Sequence, residues 1–227
     1  MPTVLGIAAA LVLMFLLPYN MLSFVSSWAV SIHEVSHGLA AIFTGGNISS
    51  LDMHWEHGLA ITQGGWYPVV SMAGYVGTAI VGAIFFLASM HFWARWLGLA
   101  FLMVATVLLC IYAHFSGAFV FALFVNAVVA ACLFIDRKGG TASFFATMLM
   151  YSQWSDVQQL LWYQPGKTDA GLLAQYFGMS WLAWPIAIVY TLGTICVWFL
   201  VLRYLLRQGA AYKNRIKSGL PAKAPTT

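Results

Sequence analysis

Charge is what this sequence has least of. Aspartate, glutamate, lysine and arginine make up 7% of its 227 residues, and only six of these residues are acidic. Soluble domains carry about 25% charged residues, so the composition excludes an ordinary soluble fold. The three cysteines all lie in apolar runs, which argues against a disulfide framework. The basic residues cluster at the ends of apolar runs, so the net charge of +4 does not indicate nucleic-acid binding.

The sequence contains several apolar runs that are long enough to cross a bilayer. A helical span needs about 20 mostly apolar residues. The sequence therefore predicts an all-α polytopic membrane protein with six to seven transmembrane helices, whose solvent is the lipid bilayer. The number stays open because one run contains Gln153, Asp156 and Gln158. The candidate spans are residues 4–17, 22–43, 67–90, 95–112, 115–135, 141–163 and 181–202.

The segment between the second and third candidate spans follows a different pattern. Residues 47–66 alternate apolar and polar side chains around the sequence Glu56-His57-Gly58. Alternation with a period of two, interrupted by a glycine-containing turn, is typical of a β-hairpin. The sequence therefore predicts a short β-hairpin at about 47–63, lying against the membrane surface.

The basic residues predict the orientation of the chain. Six lysines and arginines fall between residues 203 and 223, and cytoplasmic segments of membrane proteins are enriched in these residues. The C-terminus is therefore expected to be cytoplasmic, with residues 208–227 forming a basic, disordered tail. Residues 1–207 are expected to form a single integral-membrane domain. Alternation of the spans then places the loops at 45–66 and 164–180 together on the opposite side.

One of the apolar spans contains the motif H-E-x-x-H, at residues 33–37. Residues four apart on a helix lie on one face, so His33 and His37 can point at a single metal ion. Glu34 stands beside them and can accept a proton. Ionisable groups at membrane depth are costly and are usually functional. The motif therefore predicts a Zn²⁺ site inside the membrane.

A catalytic zinc site needs a third protein ligand in addition to the two histidines. Asp136 adjoins two basic residues at the inferred cytoplasmic edge, and Asp52 and Glu56 belong to the hairpin. Asp156 and Asp169 remain, and Asp169 lies where proline and glycine interrupt the helices. Either aspartate is also suited to a helix N-cap, so the residues by themselves leave both open as ligands.

The chain resembles the site-two protease class of intramembrane zinc metalloproteases, most closely its small bacterial peptidase-like branch. The resemblance rests on residues 33–41, 43–46, 64–66 and 71–77. It implies that His33 and His37 bind zinc and that Glu34 is the general base. It also implies a third ligand from a proline-containing Asp-Gly motif, to which residues 165–170 correspond, so that Asp169 is the expected ligand and Asp156 the alternative.

Two positions depart from that motif. Ala170 stands where the family has glycine, and Trp162 stands where it has a substrate-holding asparagine. Asn126, in the middle of a span, is the candidate substitute for this asparagine as a substrate-binding residue.

The sequence therefore predicts a zinc-dependent intramembrane endopeptidase of the bacterial plasma membrane that cleaves membrane-spanning proteins. Two other hypotheses use the same residues. One is a membrane transporter or metal-handling protein, although the sequence has no convincing inverted repeat. The other is a catalytically silent relative that binds membrane clients, although binding alone does not need Glu34. The sequence predicts no nucleic-acid partner and does not indicate an oligomeric state.

Overall fold

Eight α-helices and one two-stranded sheet make up the described part of the chain. The structure is a computed structural model that describes residues 2–16, 19–163 and 165–217. A π-helical turn at Gln159–Tyr163 and two 3₁₀ turns, at Pro165–Lys167 and Ser180–Leu182, connect the last helices. The main elements are α1 (Pro2–Leu16), α2 (Tyr19–Phe43), β1 (Asn47–Met53), β2 (Gly58–Gln63), α3 (Tyr67–Ala88), α4 (Phe92–Tyr112), α5 (Gly117–Ile135), α6 (Gly140–Gln158), α7 (Asp169–Tyr176) and α8 (Ala183–Lys217).

Four of these helices are long and apolar enough to cross a membrane: α3, α4, α5 and the stretch Ser180–Gln208 that includes most of α8. Helix α1 has 15 residues, which at 1.5 Å per residue is about 22 Å and less than the hydrocarbon core. Helices α2 and α6 are not among the four, and α6 carries the polar residues noted above. Each of the seven predicted runs coincides with a helix over most of its described residues, but six to seven membrane spans are not confirmed.

Helix α3 is the central helix of the fold and packs against α2, α4, α6 and α8. Its small residues permit this close approach. A Cβ atom added to Gly77 would lie 2.7 Å from the Ser36 Cβ atom on α2, and one added to Gly82 would lie 2.5 Å from the Trp198 ring on α8. Around this helix the largest core cluster gathers buried side chains from α2 to α6 and from α8.

The β-hairpin is confirmed at the predicted position. Strands β1 and β2 pair antiparallel, with one irregularity between Ile48 and Ser50. The outer edge of β1 is occupied by the connection between α4 and α5, because Leu51 bridges to Ala113 and its carbonyl accepts the His114 N–H at 3.3 Å. Within the described residues no strand pairs with the outer edge of β2.

Helix α8 extends into the segment 208–227, for which the sequence predicts a basic, disordered tail. Helix α8 continues through 208–217, which the sequence assigned to a disordered tail. This stretch contains alanine, lysine and arginine, which favour helix, so it extends the apolar span instead of leaving it. Residues 218–227 lie outside the described part of the chain.

Candidate metal centre

Helix α2 presents His33 and His37 on one face, one turn apart, as the motif predicts. Their ring centroids are 4.8 Å apart. His37 is 6% exposed, and its Nδ1 lies 2.6 Å from the Val70 carbonyl oxygen on α3. A carbonyl oxygen only accepts hydrogen bonds, so Nδ1 carries the proton and Nε2 offers its lone pair to a metal.

Asp169, the first residue of α7, completes the group. Its Oδ2 atom lies 3.2 Å from Nε2 of His33 and 3.3 Å from Nε2 of His37. Four ligands about 2.1 Å from a tetrahedral zinc ion are about 3.4 Å from one another, so both distances fit shared coordination. Throughout the described residues, these are the three ligand-type side chains whose donor atoms converge, all within 4.8 Å of one another.

Tight packing of the segment before α7 fixes where Asp169 lies. A Cβ atom added to Gly171 would lie 2.3 Å from the backbone of Gly166, so the 3₁₀ turn closes directly onto α7. The buried face of α7 includes Ala170 and Leu173, which belong to one core cluster with Tyr190 of α8. Packing against α8 and against the preceding turn therefore fixes the position of this short helix.

Gly74 on α3 lies against the Nε2 atoms of the two histidines. A Cβ atom at this position would lie 2.2 Å from Nε2 of His33 and 2.5 Å from Nε2 of His37. These are the nitrogen atoms that face Asp169, so the missing side chain makes room for the ligand atoms themselves. The glycines of α3 therefore have two uses: Gly77 and Gly82 permit close helix packing, and Gly74 leaves room for the candidate ligand atoms.

We expect Gly74→Ala to reduce the zinc affinity by more than about 100-fold, beyond the effect usual for residues outside the ligand set. The added methyl group would displace both histidine rings. Gly77→Ala is the matched control, because it also inserts a methyl group between α2 and α3 but meets Ser36. Zinc content after dialysis, measured by elemental analysis alongside circular dichroism, gives the result. If both variants lost zinc equally, the cause would be disturbed packing between α2 and α3 and not contact with the histidines.

Glu34 lies beside the ligands and under the hairpin. The side chain is 6% exposed, and a Cβ atom added to Gly58 would lie 2.8 Å from its Oε1 atom. The backbone N–H of Ala60 is directed at the Glu34 carboxylate. Strand β2 therefore covers the carboxylate that the sequence predicts as the base and limits its conformations.

A cavity of about 280 Å³ connects these groups. A water molecule occupies about 30 Å³ in the liquid, so several can enter. Asp156 lines the same cavity, but its carboxylate oxygens are not among the candidate ligand atoms that converge. Glu56 and Lys167 also line it, from the hairpin and from the segment before α7. The two loops that the sequence placed on one side of the membrane therefore meet here.

Asn126 lies elsewhere, and its amide is engaged in helix packing. Its Oδ1 accepts a hydrogen bond from Nε1 of Trp28 at 2.9 Å, and its Nδ2 donates to Oγ1 of Thr106 at 3.3 Å. It is 2% exposed and is not among the residues that line the cavity. This location does not support the predicted role of Asn126 in substrate binding, because the amide already has partners on α2 and α4.

Several residues that build the site were not identified from the sequence as site residues. Val70 supplies the carbonyl that orients His37, and the Ser71 hydroxyl donates to the backbone oxygen of Asp169 at 2.8 Å. Ser71 and Gly74 belong to a run that carries the family resemblance, which is the signal that could have marked them. Tyr190 donates to Ser71 at 2.7 Å and has no comparable signal in the sequence.

Comparison with known proteins gives one positive result. Residues 6–202 match the sequence profile of a family described as Peptidase M50B-like. A search of curated proteins found no match, and a search of solved structures found none either. The match covers most of the chain and agrees with the resemblance to the site-two protease class. With its four apolar helices and this match, the chain is an integral membrane protein that belongs to the Peptidase M50B-like family.

Proposed function

We propose that this protein is a zinc-dependent intramembrane endopeptidase that hydrolyses peptide bonds of membrane-spanning substrates. One observation carries the proposal: His33, His37 and Asp169 converge in a cavity that also contains Glu34. Two imidazoles and one carboxylate are the ligand set of catalytic zinc sites, which leave a fourth position open. The surrounding helices are apolar, so a substrate of matching polarity is itself a membrane segment.

The proposed chemistry assigns one task to each group. A zinc ion held by the three ligands would polarise the scissile carbonyl and acidify a water molecule. Glu34 accepts the proton of the attacking water and delivers it to the nitrogen atom of the leaving amine. The Ala60 N–H orients the Glu34 carboxylate, and the Val70 carbonyl holds His37 in the tautomer that leaves Nε2 free.

The outer edge of β2 is the proposed binding surface for the substrate backbone. Gly58, Ala60 and Thr62 line the cavity beside Glu34. The Leu51 carbonyl points away from β2, and Leu51 is directly opposite Ala60. In an antiparallel pair, two residues directly opposite each other direct their N–H and C=O groups either both towards the partner strand or both away from it. The backbone groups of Ala60 therefore point away from β1, and so do those of Thr62, two residues further along β2. Because the Ala60 N–H faces Glu34, a substrate segment that has lost its helical hydrogen bonds can pair with the Thr62 N–H and with the carbonyl groups of both residues as an added strand.

Thr62→Pro tests strand addition, because it removes an outward N–H group while leaving the Ala60–Glu34 contact intact. Proline is tolerated at a sheet edge whose N–H faces away from the sheet. We expect KM to rise about tenfold with little change in kcat, which corresponds to the loss of one hydrogen bond. Thr62→Ala keeps the N–H group and should cleave as the parent protein does. Equal KM values for all three proteins would contradict strand addition.

Removal and return of the metal test the proposed function as a whole. The purified full-length protein should cleave a single-span membrane substrate, lose this activity when treated with a strong zinc chelator, and recover it with added Zn²⁺. Magnesium should not restore activity, because it prefers oxygen ligands in octahedral geometry over this imidazole-rich set. Cleavage that survives complete removal of zinc would refute the proposal.

We also propose a bacterial plasma-membrane location with the C-terminus in the cytoplasm. The support is the cluster of lysine and arginine residues between 203 and 223. The metal centre and the hairpin would then face the opposite side of the membrane.

A further inference from the structure

Two buried hydroxyl groups connect the third candidate ligand to the rest of the fold. The Ser71 Oγ atom on α3 donates a hydrogen bond to the backbone oxygen of Asp169 at 2.8 Å. The Tyr190 hydroxyl on α8 lies 2.7 Å from the same Oγ atom. Asp169, Ser71 and Tyr190 therefore form one chain of hydrogen bonds across α7, α3 and α8. None of the chemistry proposed above uses Ser71 or Tyr190.

The direction of this chain follows from the number of protons available. A serine hydroxyl has one hydrogen, and Ser71 gives it to a carbonyl oxygen that can only accept. The Tyr190 hydroxyl must therefore donate to the lone pair of Ser71. Tyr190 is 2% exposed, and Ser71 is 5% exposed although it lines the cavity, so neither hydroxyl faces the outer surface of the protein. Loss of one hydroxyl leaves its neighbour without a partner in a buried place.

Asp169 depends on such contacts more than the histidines do. His33 and His37 lie on one long helix, which fixes their relative position. Asp169 lies on a different helix, α7, which has eight residues and follows an irregular connection. Its carboxylate can meet the histidines only if α7 is held at the correct height and rotation relative to α2.

Two adjacent residues near the N-terminus of α3 contact two of the candidate ligands. Val70 contacts His37 through its carbonyl oxygen, and the adjacent Ser71 contacts Asp169. Two consecutive residues of one helix therefore set the positions of ligands that are far apart in sequence. Tyr190 in turn restricts the Ser71 hydroxyl to the rotamer that reaches Asp169.

We propose that Ser71 and Tyr190 are positioning residues for the metal centre, with Tyr190 acting through Ser71 and Ser71 acting through Asp169. This inference rests on the proposed zinc site. Residues that orient metal ligands typically change metal affinity by 10–100-fold when they are replaced. We expect Ser71→Ala to weaken zinc binding about tenfold, and Tyr190→Phe to weaken it by no more than that. The double variant should bind as weakly as Ser71→Ala alone, because the two residues form one chain.

Zinc dissociation constants of the full-length protein in detergent, obtained by competition with a chromophoric chelator, test the proposal without any activity assay. Tyr204→Phe is the matched control, because Tyr204 also lies on α8, about four turns beyond Tyr190, and its hydroxyl contacts His91. Its zinc affinity should equal that of the parent protein. In an Asp169→Ala background, which has no side-chain oxygen at this position, Ser71→Ala should cause no further loss of zinc affinity.

The outcomes separate this inference from the function on which it rests. A parent protein that binds no zinc would overturn both. A parent protein that binds zinc, with unchanged affinity in Ser71→Ala and Tyr190→Phe, would overturn positioning alone. Positioning would also be overturned if Tyr204→Phe lost affinity equally, or if Ser71→Ala had its full effect in the Asp169→Ala background. In either case the hydroxyl groups would be acting on general stability.

Discussion

Glu34→Gln is expected to abolish substrate cleavage while leaving zinc bound. The amide has nearly the shape of the carboxylate, so the ligands should stay in place, but it cannot accept the proton of the attacking water. General base catalysis contributes about 10²–10⁴-fold to a rate, and we expect a loss of at least about 10³-fold in kcat. Cleavage of a single-span substrate and zinc content, measured on the same preparation, check both parts.

Glu56→Gln is the matched control for this experiment. Glu56 lines the same cavity and undergoes the same chemical change, but it belongs to the exposed turn of the hairpin. Its variant should retain cleavage. The pair also separates the three functional hypotheses, because metal transport or client binding does not need a general base. Parent-like cleavage by Glu34→Gln would refute the mechanism, and absence of cleavage in every variant and in the parent would favour the non-enzymatic hypotheses.

Asp169→Asn is expected to reduce zinc affinity by more than the 10–100-fold usual for residues outside the ligand set. The amide oxygen is a neutral and weaker ligand than the carboxylate oxygen, which lies 3.2 and 3.3 Å from the two histidine nitrogens. Cleavage should fall with the zinc content and recover in part at high zinc concentration. Metal titration and activity across a range of free Zn²⁺ concentrations give the result.

Asp156→Asn decides between the two aspartates that the sequence left open. Asp156 lines the cavity, so its replacement alters the local charge as Asp169→Asn does. Its carboxylate is not one of the converging ligand atoms, and its variant should keep parent-like zinc affinity. If Asp156→Asn released zinc and Asp169→Asn did not, the third ligand proposed here would be wrong.

The local features of the fold were predictable because they depend on patterns within a few residues. Runs of apolar residues predicted helices, and alternation around Gly58 predicted the hairpin, which the structure confirms at 47–53 and 58–63. The number of spans was not predictable in this way. The apolar helix α1 is short, and α6 is helical although it carries polar residues such as Gln153, so helix formation by itself does not establish a membrane span.

Asn126 and Gln153 show that the sequence pattern around a polar residue does not determine which groups its side chain contacts. Asn126 is a polar residue in an apolar helix, which is compatible with substrate binding, but its amide meets Trp28 and Thr106. Gln153 interrupts the apolar run in α6, and its amide donates to the Tyr75 carbonyl and accepts from Trp198. Both side chains satisfy buried hydrogen-bonding groups on neighbouring helices, and those neighbours are set by packing.

The sequence by itself determined the pairing of His33 and His37 and the presence of Glu34 beside them, because residues one turn apart share a face of any α-helix. Only the tertiary structure decided that Asp169, which is 136 residues from His33, reaches the same point and that Asp156 does not. It also decided that Gly74 lies against the histidine nitrogens, that Ser71 donates to the backbone oxygen of Asp169 and that Tyr190 donates to Ser71. These contacts arise from how α3, α7 and α8 pack together, which no spacing along the chain specifies.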